Sequence, residues 1–285
     1  MSKPAIEQEI SASLFVEAQH ELAEGPLWFN RRWWWVDIEG GSLHSCDAHG
    51  ADTWSHAFGQ RLGAAAPLQG QGFLLALQKG LAVWDQETDS LEYVAHPYEG
   101  IEGTRCNDGK WYPVVRFVVG TLNMQAKPRT AALYSFEFPD KLTKRLSDVS
   151  VSNGLAWTRD GRTLYHIDTL HYEITAYDYN LDNGALSNPR VVVRTPPEMG
   201  YPDGMDIDAV GNLWVAHWDG WAVRCWSPKT GECLAKISLP VSRPTSCCFG
   251  GLAGNELLIT TARVGLTHET LLAEPLSGSL MRAVW

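Results

Sequence analysis

The chain has 285 residues, of which 45% are hydrophobic and 20% are charged, as is usual for a folded globular protein. Its formal net charge is −10 and no run of basic residues occurs, which excludes binding to nucleic acid through clustered Lys and Arg. No apolar segment approaches the roughly 20 residues that cross a bilayer, and residues 1–9 are polar, unlike a secretory signal. The acidic charge and the lack of a spanning segment predict no membrane partner. The six cysteines are scattered without a CxxC pair, so we expect reduced thiols in a cytoplasmic protein.

Aromatic and β-branched segments predict strands along the chain, beginning with residues 33–38 and 73–77 and continuing to residues 213–216. Glycine-containing turns separate these segments, for example at residues 182–184 and 228–231, where glycine supplies the positive φ of a tight hairpin. Long amphipathic helix patterns do not occur. The sequence therefore predicts an all-β fold.

One short pattern recurs: an oxygen-bearing side chain, then glycine, then a strand-like run. It occurs as Glu24-Gly25, Asn107-Asp108-Gly109, Asn153-Gly154 and Asp203-Gly204. Positions 107, 153 and 203 are 46 and 50 residues apart, and the interval from 24 to 107 spans about two such repeats. The second repeat, between positions 24 and 107, is assigned to Leu62-Gly63-Ala64, which has no polar ligand. Phe249-Gly250-Gly251 is assigned to the sixth repeat. Six repeats of about 47 residues predict a six-bladed β-propeller with four-stranded antiparallel blades.

The two ends of the chain are expected to close the ring. Residues 10–17 and 279–285 both read as strands, and their pairing in one shared blade would remove the open edges. No linker interrupts the pattern. Residues 1–285 are therefore predicted to form a single propeller domain, acting as a monomer or small homo-oligomer.

Several motifs, occurring in the same order, resemble those of the SMP-30/gluconolactonase/LRE family, which includes regucalcin and bacterial sugar lactonases. The resemblance extends from Glu24 to Arg263. Its clearest motifs are residues 24–28 (EGPLW), 105–110 (RCNDGK), 152–157 (SNGLAW) and 202–205 (PDGM).

This resemblance implies a six-bladed propeller with one divalent cation in its central channel. The cation would be held by the residues that match the family's ligands, Glu24, Asn153 and Asp203. The resemblance also implies that Arg105 and Asn107 contact the substrate. Asp108 is expected to join that substrate-binding set by orienting Arg105 or a water molecule. The oxygen ligands favour Ca²⁺, with Mg²⁺, Mn²⁺, Zn²⁺ and Fe²⁺ as alternatives.

The family's chemistry suggests hydrolysis of a small sugar lactone, an aldonolactone, to the aldonic acid. Such a reaction needs a polarised carbonyl, which a divalent cation supplies, and an activated water. Asp203 is the expected general base. Two alternatives stay open: an organophosphate or other ester hydrolase that uses the same site, and a non-enzymatic calcium-binding or regulatory propeller.

One turn departs from the family pattern. Where the family reads Asp-x-x-Gly-Arg-Phe-Trp, this chain has Tyr112-Pro113-Val114-Val115-Arg116-Phe117-Val118. Val115 replaces the turn glycine, and a β-branched residue fits a positive φ poorly. We therefore expect altered geometry in the turn that follows Arg105 and Asn107.

Overall fold

The protein, analysed as a computed structural model, is described over residues 8–284 except 69, 71, 99–100, 113–115 and 126. Strands are numbered in chain order, and the first two, which join later blades, are β1 (Gln8–Ser11) and β2 (Ser13–Val16). Blade 1 contains β3–β6 (Ala23–Phe29, Arg32–Asp37, Ser42–Asp47 and Trp54–Ala57). Blade 2 contains β7–β10 (Leu62–Pro67, Phe73–Leu77, Gly80–Asp85 and Ser90–Ala95). Blade 3 contains β11–β14 (Thr104–Tyr112, Arg116–Asn123, Ala131–Glu137 and Lys141–Val149).

The second half of the chain repeats this arrangement. Blade 4 contains β15–β18 (Ser152–Trp157, Thr163–Asp168, Glu173–Tyr179 and Leu186–Arg194). Blade 5 contains β19–β22 (Tyr201–Ile207, Leu213–Trp218, Ala222–Trp226 and Cys233–Ser238). Blade 6 contains β23–β25 (Pro244–Gly250, Glu256–Thr261 and Leu280–Val284) together with β2. The six-bladed β-propeller with antiparallel blades is confirmed.

The apolar strands are buried on both faces because each blade packs between two neighbours. In β8, Leu74 packs in a cluster with Phe117 of blade 3, whereas the next residue, Leu75, packs in a cluster with Trp34 of blade 1. Successive side chains of a strand point to opposite faces, so both faces here meet apolar partners. This explains why the segment reads as a continuous hydrophobic run rather than an alternating one.

The ring closes through both chain ends, as predicted, but one detail of that prediction is wrong. β2 pairs antiparallel with β25, which completes blade 6; residue 285 lies outside the described residues. The expected strand at residues 10–17 is, however, divided between two blades. β1 pairs in parallel with β22 as a fifth strand of blade 5, and the chain then crosses to blade 6. This arrangement covers the otherwise open outer edge of blade 5.

Helical structure is short in the described part of the chain. It comprises one α-helix, α1 (His268–Ala273), and two 3₁₀ turns, η1 (Thr169–His171) and η2 (Pro197–Met199). None of the helices in the described ranges is long and apolar enough to cross a membrane. All six cysteines are buried and free.

The altered turn that we expected after β11 falls largely outside the described residues, which omit Pro113, Val114 and Val115. Tyr112 and Arg116, on either side of it, are paired in register. The β11–β12 hairpin therefore forms, and the prediction about the turn itself stays a prediction.

Candidate active site

All six innermost strands have an irregular register near their first residues. The shifts lie between the pairs Glu24/Leu27, Leu62/Ala64, Cys106/Gly109, Asn153/Leu155, Pro202/Met205 and Pro244/Ser246. A β-bulge of this kind turns a side chain away from the regular alternation and is common next to active sites. Every oxygen-bearing residue of the recurring sequence pattern lies at one of these bulges. The pattern therefore marks the same structural position in four blades.

The sixth place in the repeat was assigned wrongly. Phe249 and Gly250 lie at the far end of β23, and Gly251 follows the strand. The bulge that corresponds to the other blades is at the start of the strand, between Pro244 and Ser246. A glycine pair at the end of a strand resembles the bulge pattern in sequence, because both places favour glycine.

Glycine follows each predicted ligand position, but the physical requirement for glycine differs between blades. A Cβ atom on Gly154 would lie 2.8 Å from the carbonyl oxygen of Asp203, and one on Gly204 would lie 2.4 Å from the Cβ of Ser246. Neither glycine has a positive φ, so both are needed for the close approach of neighbouring innermost strands. Gly25 instead has φ = 52°, which favours glycine for its backbone conformation.

The predicted site residues form one buried cluster. Relative exposure is 4–7% for Glu24, Arg105, Asn107, Asn153 and Asp203. A guanidinium nitrogen of Arg105 (Nη1) donates to Oδ1 of Asn107 at 2.7 Å. The Asn107 amide nitrogen donates to Oδ1 of Asn153 at 3.1 Å and to the carbonyl of Ser152 at 3.0 Å. Two blades are thus joined by hydrogen bonds between the predicted substrate-contacting pair and a predicted ligand.

The carboxylates of this cluster repel one another. Burial, together with the charge of Asp108, raises the pKa of Glu24 to about 8. Burial and the charges of Glu24 and Asp108 raise the pKa of Asp203 well above its usual value, while Arg105 and Asn153 oppose the shift. Burial also raises the pKa of Asp108. Glu24 and Asp203 thus share the positive charge of Arg105, and Asp108 has that of Lys110. A bound cation would further stabilise this concentration of carboxyl groups.

The donor types indicate which cation could bind. Among the residues that the structure describes, no three His, Cys, Asp or Glu side chains form a metal-binding group by themselves. A cation in this cluster would therefore need the amide oxygen of Asn153 in addition to the carboxylates of Glu24 and Asp203. An all-oxygen set of this kind suits hard cations such as Ca²⁺, Mg²⁺ and Mn²⁺. The residues present fit a divalent cation in charge and donor chemistry.

A cavity of about 210 Å³ adjoins the cluster and is walled largely by innermost strands. Asp108 and Lys110 line it together with apolar and aromatic side chains, including Trp28 and Trp111. The other predicted site residues do not line it. Asp108 therefore lies between the cluster and this part of the channel.

Three residues that contact this region were missed by the sequence analysis. Thr169 binds the Asn153 amide, and Lys110 pairs with Asp206. Lys110 and Asp206 lie inside motifs already noted, residues 105–110 and the run after Asp203. Their pairing could not be predicted, because it depends on how the blades close around the axis.

A six-bladed propeller with a buried cluster of carboxylates, amides and one arginine at its axis defines the class of protein. Residues 22–263 match the model of the SMP-30/Gluconolactonase/LRE-like region, and the chain belongs to this family.

The chain is similar to curated members along almost its whole length. It is 36% identical to regucalcin of Danio rerio over 273 residues, covering 94% of this chain and 92% of that protein. It is 35% identical to a putative sugar lactone lactonase of Bacillus subtilis over 276 residues, covering 96% and 94%. Among solved structures, the calcium-binding protein regucalcin from Agrobacterium tumefaciens superposes with a TM-score of 0.92 at 26% identity, covering 98% of this chain and 95% of that one.

Proposed function

We propose that this protein hydrolyses a sugar lactone to the corresponding aldonic acid. The observation that carries the proposal is the cluster of mutually repelling carboxyl groups of Glu24, Asp108 and Asp203, with Arg105 beside Glu24 and Asp203, built at the bulges of innermost strands. The similarity to a putative sugar lactone lactonase supports the same reaction class. The substrate would be a small aldonolactone.

Each residue of the cluster has a role in the proposed reaction. Asp203, once ionised, accepts a proton from the attacking water; its burial makes it a stronger base than an exposed carboxylate. Arg105 and Asn107 offer donors to the carbonyl side and hydroxyls of the sugar. Asp108, which lines the adjoining cavity, would orient Arg105 or a water molecule.

The proposal includes one divalent cation held by Glu24, Asn153 and Asp203. A cation bound there would polarise the lactone carbonyl and offset the negative charge of the cluster. Ca²⁺ is favoured by the oxygen ligands, and Mg²⁺, Mn²⁺, Zn²⁺ and Fe²⁺ are the alternatives to be tested.

A second candidate function is a non-enzymatic calcium-binding propeller. It is favoured by the likeness to the Agrobacterium structure, which is described as a calcium-binding protein. The two candidates use the same cluster and differ only in turnover.

Proton release during incubation with a panel of aldonolactones tests the proposal. A phosphotriester and a simple aryl ester serve as comparison substrates. Lactone turnover above the spontaneous rate, and faster than turnover of either comparison substrate, is the expected result. Faster phosphotriester turnover would favour the organophosphate hydrolase. Tight Ca²⁺ binding without turnover of any substrate would favour the calcium-binding propeller.

A further inference from the structure

The side-chain amides of Asn107 and Asn153 form hydrogen bonds whose direction is defined. Arg105 can only donate, so the atom of Asn107 that it contacts must be the oxygen, and the Asn107 nitrogen must face Asn153. Oδ1 of Asn153 accepts this bond, which leaves its own nitrogen free to donate elsewhere. The acceptor is the hydroxyl oxygen of Thr169, at 2.9 Å.

The Thr169 hydroxyl is the last group in this chain of hydrogen bonds, which starts at Arg105. Its oxygen lies 2.9 Å from the carbonyl oxygen of Pro202, which can only accept, so the hydroxyl proton points to Pro202. The hydroxyl must then accept from Asn153, and a flipped Asn153 amide would place two acceptors against each other. Thr169 thereby reinforces the orientation that Asn107 imposes on Asn153, with the Asn153 oxygen toward the cluster.

Hydrogen bonds of Thr169 and of the residue before it also hold the surrounding backbone in place. Thr169 begins η1, and its N–H donates to the carbonyl of Val151 at 3.1 Å. The preceding carboxylate, Asp168, accepts from the N–H groups of Ser150 and Val151 at 2.9 and 3.0 Å. The segment that leads into Asn153 is therefore clamped by two adjacent residues of the β16–η1 junction.

We propose that Thr169 is a positioning residue for a cation site: its hydroxyl orients the Asn153 oxygen and ties it to the strand that carries Asp203. One hydroxyl links the innermost strands of blades 4 and 5, immediately before the second predicted carboxylate ligand. This inference rests on the proposed function, since it concerns the same cation.

Replacement of the hydroxyl by a methyl group separates this role from packing. Thr169→Val keeps the volume but removes the acceptor that Thr169 offers to the Asn153 nitrogen, so the amide loses one of the hydrogen bonds that fix its orientation and its tie to Pro202. Thr169→Ser keeps the hydroxyl and loses only a methyl group. Substituting a residue that orients a ligand commonly weakens metal binding by about 10- to 100-fold. We expect such a loss for the valine variant and affinity close to wild type for the serine variant.

The matched control is Thr261→Val. The Thr261 hydroxyl also accepts one backbone bond, from Gly278 at 3.0 Å, and donates one, to Ser279 at 2.6 Å, but its bonds lie in blade 6. The Thr261→Val substitution should therefore lower thermal stability without changing Ca²⁺ affinity.

The experiment is a calorimetric titration of each folded full-length protein with Ca²⁺ and, separately, with Mn²⁺. Weak binding by Thr169→Val, with recovery in Thr169→Ser, is the expected result. Wild-type affinity in the valine variant, or equal loss in the serine variant, would overturn the positioning role while leaving the proposed function intact. Wild-type protein that binds neither of these cations, nor Mg²⁺, Zn²⁺ or Fe²⁺, would overturn the cation site itself and this inference with it.

Discussion

The ammonium nitrogen of Lys110 on β11 lies 2.8 Å from Oδ1 of Asp206 on β19, which joins the innermost strands of blades 3 and 5. Blade 4 lies between these blades in the ring, so the ion pair crosses the channel. The other Asp206 oxygen accepts the N–H of Phe249 on β23 at 2.9 Å. A single carboxylate thus connects three blades next to the acidic cluster.

We expect Asp206→Asn to lower the free energy of unfolding by about 1–2 kcal/mol. Removing one partner of a fully buried ion pair would destabilise the fold by more than this. The Lys110 side chain is 37% exposed, and solvent screening reduces the effect here. The asparagine oxygen can still accept the Phe249 N–H, so the substitution removes mainly the charge interaction. Urea unfolding of Asp206→Asn, Lys110→Met and the double variant measures the coupling. Additive effects of the two substitutions would show that the pair contributes nothing across the channel.

The buried imidazole of His217 predicts a loss of stability in acid. Nε2 accepts from the Trp226 indole at 3.2 Å, so Nδ1 carries the proton and faces the Gly200 carbonyl at 3.4 Å. Burial, followed by the charge of Arg224, lowers the pKa of His217 from 6.5 to about 3. The folded protein therefore keeps this ring neutral while the unfolded chain takes up a proton below pH 6.5. Its contribution to stability is full above that pH and is lost progressively as the pH falls toward 3.

His217→Gln tests this contribution, because glutamine can accept from Trp226 and donate to Gly200 without titrating. Between pH 6.5 and pH 5 the wild-type protein should lose about 2 kcal/mol more unfolding free energy than the variant. Chemical denaturation at both pH values measures the difference, and contributions common to both proteins cancel. Parallel pH profiles for the two proteins would contradict the assignment.

Gly204→Ala tests why glycine follows the candidate base. The added Cβ would lie 2.1 Å from the hydroxyl oxygen and 2.4 Å from the Cβ of Ser246 on the adjacent innermost strand. Overpacking of this kind costs about 1–3 kcal/mol, which a thermal or urea unfolding curve resolves. Ser246→Gly in the same chain should recover part of the loss, because it removes the side chain that is contacted. A stable single variant would mean that the strands are not as close as described.

Much of this architecture could be predicted because it depends on local patterns. The recurring oxygen–glycine pattern identified four of the six bulged positions, and its spacing identified a fifth at Leu62. The site residues from Glu24 to Asp203 do meet in one cluster. The sixth position was misplaced at Phe249 because glycine also suits the end of a strand. The N-terminal division into two strands was missed because a four-residue edge strand leaves little pattern.

Contacts between distant segments could not be predicted in the same way. Thr169 reads as an ordinary residue after a strand, and its importance depends on where Asn153 and Pro202 lie relative to it. The ion pair of Lys110 likewise depends on the curvature of the ring. The sequence indicates which groups are available, and the closure of the propeller decides which of them meet.

The most direct test of the central claim is the rate of aldonolactone hydrolysis by wild-type protein and by Asp203→Asn, each stripped of metal and then reloaded with one divalent cation. Asp203 is a buried carboxyl repelled by Glu24 and Asp108, so its neutralisation should leave the protein folded, as circular dichroism can verify. We predict that reloading restores wild-type turnover and that Asp203→Asn stays at least about 10²-fold slower. Equal rates for the two reloaded proteins, or wild-type turnover unaffected by metal removal, would contradict the account.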